Sequence, residues 1–286
     1  MKKAVIASLI FLGSCKSTES INRFAKSAAA GTAEISRSTL SFGSICRLYD
    51  QSALASYTDT SLYAKSGHKA KHCEAYRSAD SMVNLINLTL VNYFTLLQEV
   101  SDKKLLAYDV RDLVNSLASI QSGLNPDLSL SEEKVSAVKG LLNTILNEPL
   151  KWYRYKKLVS TMQQNDSALS RVLRAYSFIL DSALNGEINQ AKENYTSFVY
   201  APLYEWARTP VEKVWINQQY LLFMQSLDKE KASIHKSVLM LILMQKDHYL
   251  LAFGKPPVGF AYTEGEISQD IVLLNKMILE LIQLIK

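Results

Sequence analysis

Apolar residues recur at intervals of three and four along most of this chain, the period of a helix with one buried face. The plainest case lies between about residues 70 and 100, where Tyr76, Met82, Val83, Ile86, Leu90, Tyr93, Phe94 and Leu97 share one side. Upstream, a Ser-, Ala- and Thr-rich stretch from about 20 to 65 carries Ile21, Phe24, Ile35, Leu40, Phe42, Ile45, Leu48 and Tyr49, and predicts one or two helices. Ser66-Gly67-His68-Lys69 reads as a break. Beyond Ser101-Asp102, either of which can cap a helix, Leu106, Val110, Leu113, Val114, Leu117 and Ile120 continue the pattern to Gly123. A turn at Asn125-Pro126-Asp127 follows. Ser129 and Glu132 then have capping-box spacing ahead of Val135, Val138, Leu141, Leu142, Ile145 and Leu146.

After Pro149 the pattern resumes with Trp152, Tyr155, Val159 and Met162 and runs through Leu169, Val172, Leu173, Tyr176, Ile179, Leu180 and Leu184. Asn185-Gly186 predicts a C-terminal stop, because both residues tolerate left-handed backbone. Thr209-Pro210-Val211-Glu212 is the strongest start signal: Thr accepts from free N–H groups, Pro suits the first helical position, and Glu closes the box. The helix it opens extends to Tyr249, with a break expected near Asp228, and Gly254-Lys255-Pro256-Pro257-Val258-Gly259 ends it. The last helix, from about 265 to 285, is apolar over most of its circumference, which predicts a central place in a core. Val238 to Met244 is apolar but far too short to span a bilayer. The expected fold is all-α: an antiparallel bundle of about seven or eight helices on an N-terminal polar tether.

Composition supports a packed helical protein, with 48% hydrophobic and 21% charged residues and only 10 Gly and 6 Pro in 286. A net charge of +5 without long single-sign blocks is too mild to argue for a nucleic-acid partner.

The first fifteen residues address the chain. Lys2-Lys3, the apolar run Ala4 to Phe11, and Leu12-Gly13-Ser14-Cys15 form a positive region, a short apolar core and small residues before a cut. This resembles the lipobox of bacterial lipoproteins. The resemblance implies that residues 1–14 are removed and that Cys15, as the new N-terminus, carries diacylglycerol and a further acyl chain such as palmitate. Residues 15–20 would be a lipidated tether and 21–286 the helical domain. Lys16, where enterobacterial lipoproteins retained at the inner membrane have Asp, resembles outer-membrane sorting. Cys46 and Cys73 then remain as an even pair in an oxidising compartment, expected to staple a 21–75 subregion by a disulfide; the alternative is two buried thiols.

Candidate chemistry is sparse. His68, His72, Cys73 and Glu74 come nearest to a metal cluster, but a third good ligand is missing and no metal is assigned. His235 and His248 are isolated, and Asp247 lies on a different azimuth from His248. No nucleophile elbow, phosphate loop, dinucleotide fingerprint or zinc-protease motif is present in the sequence, so neither enzyme activity nor a cofactor is expected. Lys151, Trp152, Arg154, Lys156 and Lys157 interleave basic and aromatic groups, a candidate surface for anionic headgroups or glycans, although the same spacing suits a solvated helix face. Tyr195, Phe198, Tyr200, Tyr204 and Trp206 flank Ala201-Pro202 in a stretch that reads as interrupted; it is either a partner surface or the plug of a bundle end. The expected function is that of a membrane-anchored envelope lipoprotein whose helical domain binds a protein or envelope component. The alternatives are a carrier of an apolar ligand and a periplasmic immunity or inhibitor protein.

Overall fold

The computed structural model describes residues 2–38, 41–56, 73–101, 155–254 and 266–285, helical apart from short corners and without a strand among them. Helix α1 spans Lys2–Ser38 and α2 spans Phe42–Ser56. A 3-10 turn, Cys73–Tyr76, leads into α3, Arg77–Ser101. Helix α4, Tyr155–Phe178, passes through a π turn (Ile179–Leu184) into α5, Asn185–Tyr195, and through a second π turn (Thr196–Tyr200) into α6, Ala201–Trp206. Helix α7 runs unbroken from Pro210 to Phe253, and α8 covers Glu266–Ile285. The helices expected over 101–123 and 129–146, the break at 66–69 and the loop after Gly254 lie outside the described residues.

Residues 21–38 of α1 are the centre of the bundle. They pack most extensively on α3 and also on α8 and α7. Phe24 meets Phe94 edge to face at 5.7 Å, and Ile21, Ile35, Ile86 and Tyr93 are fully buried. Each such side chain contributes roughly 1.5–3 kcal/mol by leaving water. Gly31 lets α7 come close: a Cβ there would lie 2.8 Å from the terminal methyls of both Met240 and Met244. Polar pairs give the directions. Asn22 Nδ2 donates to Gln98 O (3.0 Å), Gln163 Nε2 to Ala252 O (2.7 Å), and Lys246 pairs with Asp270 at 2.7 Å. The α1–α3, α4–α7 and α7–α8 neighbours are therefore antiparallel, as expected.

At ~1.5 Å per residue, the 44 residues of α7 span about 66 Å, far longer than the buried part of α1. The first half of α7 therefore projects past the bundle and pairs with α5 and α6 in a distal hairpin, with α2 packed alongside. Its start follows the sequence closely. Thr209 is extended (φ −118°, ψ 151°), Glu212 N donates to Thr209 Oγ1 at 3.2 Å, and Thr209 N donates to Glu212 Oε2 at 2.9 Å. These hydrogen bonds hold the Glu212 carboxyl below the usual carboxylate range. Its end does too: Gly254 takes φ +67° and its N–H reaches Leu250 O at 2.8 Å.

Four expectations are corrected. Asn185-Gly186 does not stop a helix: Asn185 has φ −62°, and Gly254 carries the single positive φ among the described residues. The apolar face continues beyond it through Ile188, Ala191 and Tyr195, so burial overrides local preference. No break occurs near Asp228, which instead anchors Lys192 of α5 by an ion pair. The stretch around Pro202 is helical, since the π turn before it opens the backbone. Ala201 N–H reaches Thr196 O, five residues back, and the widened turn accommodates a ring that a tight α turn would exclude. Finally, α8 is not central. Ile271, Leu274, Met277 and Leu281 are buried against α1 and α7, whereas Val272, Leu273 and Leu279 face outward. Helix α1 includes positions 15–20, and no helix among the described residues is long and apolar enough to cross a membrane.

Candidate functional site

The distal hairpin is built from an aromatic seam. Tyr195 stacks on Phe223 at 4.2 Å, Tyr200 lies against Tyr220 at 4.3 Å, and Tyr200 donates to Asn217 Oδ1 at 2.8 Å. Ser56 of α2 hydrogen-bonds the buried Tyr195 hydroxyl, and Lys213 Nζ sits 4.9 Å from the centre of the Tyr204 ring. On α7 the buried residues Ile216, Phe223 and Leu227 point into this seam. At 100° per residue, Val211, Val214, Leu221 and Leu222 fall on the opposite side. They are 53–78% exposed, and Phe198 and Trp206 of the companion rod are about half exposed. Of the aromatic group singled out in the sequence, Tyr195, Tyr200 and Tyr204 plug the hairpin, while Phe198 and Trp206 remain at the surface.

A second polar assembly is internal. His248 of α7 is fully buried; its Nδ1 lies 2.9 Å from Asp166 Oδ1 on α4, and its Nε2 lies 2.7 Å from the Tyr93 hydroxyl on α3. An ionised carboxylate only accepts, so Nδ1 carries the proton, Nε2 accepts, and Tyr93 donates. Burial lowers the imidazole pKa, and Asp166 offsets part of that effect. Burial, with Asp166 nearby, raises the Tyr93 pKa and keeps its hydroxyl protonated. The chain of three pins α3, α4 and α7 together. It resembles a catalytic relay in composition, but Tyr93 and His248 have no exposed surface, so the arrangement as built is structural. No local pattern marks it, because the orienting carboxylate is 82 residues from the imidazole.

A half-open cavity of about 50 Å³ lies where the α1–α2 corner meets α3 and the first π turn. Ser36, Ser41, Asp80, Asn84 and Tyr176 supply its polar wall; Val83, Ile179, Leu180 and Leu184 supply the apolar one. Asp80 caps α2 from a distance, accepting from Phe42 N (2.8 Å) and Gly43 N (3.1 Å). The Tyr176 hydroxyl is buried and has no hydrogen-bond partner among the described residues.

Cys46 and Cys73 form a disulfide, with Cα atoms 5.6 Å apart, joining α2 to the 3-10 turn before α3. Asp50 Oδ2 lies 3.5 Å from Cys73 Sγ. His68 and His72 lie outside the described residues, as do Lys151, Trp152 and Arg154; Lys156 and Lys157 open α4, where the backbone alone is described. Cys15 likewise lies on the α1 backbone. His235 is exposed on α7. No protein-family model, curated protein or solved structure matches this chain.

Proposed function

We propose that the chain is a lipid-anchored envelope protein that holds a rigid helical arm away from the membrane to engage a protein partner. It acts by binding rather than by catalysis. One observation carries the reading: the exposed apolar stripe of Val211, Val214, Leu221 and Leu222 on the distal half of α7. Such a row, backed by a fully packed seam, has the character of an interface core. The molecule is also polar along its length. Asn22, a few residues beyond Cys15 in sequence, meets Gln98 at one end of the bundle, and Thr209 lies at the start of the projecting half of α7. Lipid at Cys15, with residues 1–14 removed and Lys16 directing the protein to the outer membrane, would place the stripe tens of ångströms from the bilayer and raise its effective concentration for partners there. A periplasmic inhibitor is one role within this class. Among the described residues, the cavity of about 50 Å³ is far below the ~300–1,000 Å³ of typical ligand sites and lends no support to the second reading, a carrier of an apolar ligand.

Two measurements test the proposal. Mass spectrometry of protein extracted from membranes is expected to find Cys15 first and carrying acyl chains; retention of residues 1–14 would end the anchoring claim. A photoreactive residue at Val214 is expected to trap one dominant partner in living cells, and Val211→Asp with Leu221→Asp is expected to abolish the capture without lowering helicity. Capture that is unchanged by both substitutions would exclude the stripe.

A further inference from the structure

We propose that Cys46, Asp50 and Cys73 form a zinc site, locked while the two sulfurs are joined and released when an external dithiol reduces them. Among the described residues this is the one group of three cysteine, histidine or acidic side chains whose ligand atoms all lie within 4.8 Å of one another. Two elements supply it. Cys46 and Asp50 are one turn apart on α2 and share a face, and Cys73 opens the 3-10 turn before α3. The position of Asp50 points beyond a simple covalent staple. Its Oδ2 lies 3.5 Å from Cys73 Sγ, yet a disulfide sulfur has no proton to donate and is a poor partner for a carboxylate. A cation held between the oxygen and the sulfur makes the same approach favourable.

Bond lengths fit the ion. Zinc bonds of ~2.3 Å to sulfur and ~2.1 Å to a carboxylate oxygen, at tetrahedral angles, set ligand-to-ligand edges of about 3.6–3.8 Å. The edge from Asp50 to Cys73 is close to that length at 3.5 Å. The two sulfurs must part from the ~2.0 Å of a disulfide to about 3.8 Å. With the Cα atoms 5.6 Å apart, side-chain rotation supplies this. Cys46 is buried while Asp50 and Cys73 are partly exposed, so the ion has a way in and a water completes the fourth position. Arg47 lies close by: its Nη1 and the Cys73 carbonyl oxygen are 3.3 and 3.7 Å from where a Cβ on Gly43 would stand. A guanidinium has no acceptor atom and cannot ligate, but its charge favours thiolates over thiols. Soft thiolates select zinc over magnesium or calcium. The dithiol gives two electrons and two protons to the Cys46–Cys73 bond and itself closes to a disulfide, leaving two thiols. Zinc then displaces both thiol protons to solvent.

The test uses the full chain with Cys15→Ser, so that Cys46 and Cys73 are the only cysteines, reduced by a phosphine because dithiols themselves chelate zinc. Titration with zinc alone is expected to load one ion per reduced chain with a Kd on the order of 1 μM or tighter, while the oxidised chain takes none at the same concentration. X-ray absorption at the bound zinc is expected to count two sulfurs, the remaining ligands being oxygen. Asp50→Asn is expected to weaken zinc at least ~10-fold at unchanged circular dichroism; Asp50→Glu, which displaces the carboxylate by one methylene, serves if that variant does not fold. Zinc is also expected to raise the melting temperature of the reduced chain and leave that of the oxidised chain unmoved. Equal binding by the oxidised chain overturns the proposal, because the ligands then lie elsewhere. Undiminished affinity in the Asp50 variant overturns it too, as does any other sulfur count or a reduced chain that takes no zinc.

Discussion

The Asp166–His248–Tyr93 chain makes a quantitative statement about acid stability. His248 is neutral in the folded protein because burial lowers its pKa below the unfolded value near 6.5. The sign follows from proton counting. Between the folded and unfolded pKa values the unfolded chain binds more protons, so stability is full above about pH 6.5 and is lost as pH falls below it. The loss from this one group is at most about 1.4 kcal/mol per pH unit. His248→Gln isolates it, since an amide can donate to Asp166 and accept from Tyr93 but does not titrate. The variant is expected to cost about 1–3 kcal/mol at pH 7.5, because its geometry matches the imidazole imperfectly. From pH 6.5 to 5.5, however, it should lose less stability than the wild type, by up to about 1 kcal/mol. Urea unfolding at both pH values measures this, and the carboxylates common to both proteins cancel in the difference. If the two chains lose stability in parallel over that interval, folding does not lower the His248 pKa and the assignment of its protons is wrong; a wild type that loses less than the variant would mean an imidazole already charged in the fold.

Three further outcomes are expected. Gly186→Ala, at helical φ with nothing within 4 Å of the added methyl, should raise stability by about 0.5–1 kcal/mol, whereas Gly254→Ala, forced to φ +67°, should lower it by about 1 kcal/mol; thermal melting of the pair decides whether the helix passes through 186. Thr209→Ala should cost about 1 kcal/mol and increase amide exchange over the first turn of α7, while exchange around Met240 stays unchanged. Reducing the Cys46–Cys73 bond, which closes a separation of 27 residues, should lower stability by roughly 3 kcal/mol; a loss below 1 kcal/mol would mean that α2 is held by packing alone.

What could be read in advance was local. The box at Thr209 and Glu212 and the stop at Gly254 depend on neighbours three or four residues away, and both formed as expected. The face of α3 was legible for the same reason, since Ile86, Leu90, Tyr93, Phe94 and Leu97 encode it by spacing. Periodicity gives the width of an apolar stripe but not how many neighbours cover it, which is why α8 read as central although Val272 and Leu279 face outward. Asn185-Gly186 carries a strong local preference that Ile188, Ala191 and Tyr195 overrule by burial. The π turns have no simple periodic signature, so the cavity they line was invisible. The imidazole and its carboxylate meet only through the pairing of α4 with α7.

The two rods of the long hairpin differ in compliance. Helix α7 is uninterrupted, whereas its companion carries a widened turn at Ile179–Leu184 and another at Thr196–Tyr200. Flexure of the arm should concentrate in those two places, which serve as joints along an otherwise stiff strut. A load applied at the tip would therefore strain the joint beside Tyr176 before it reached the bundle around Phe24, coupling the arm mechanically to the cavity wall.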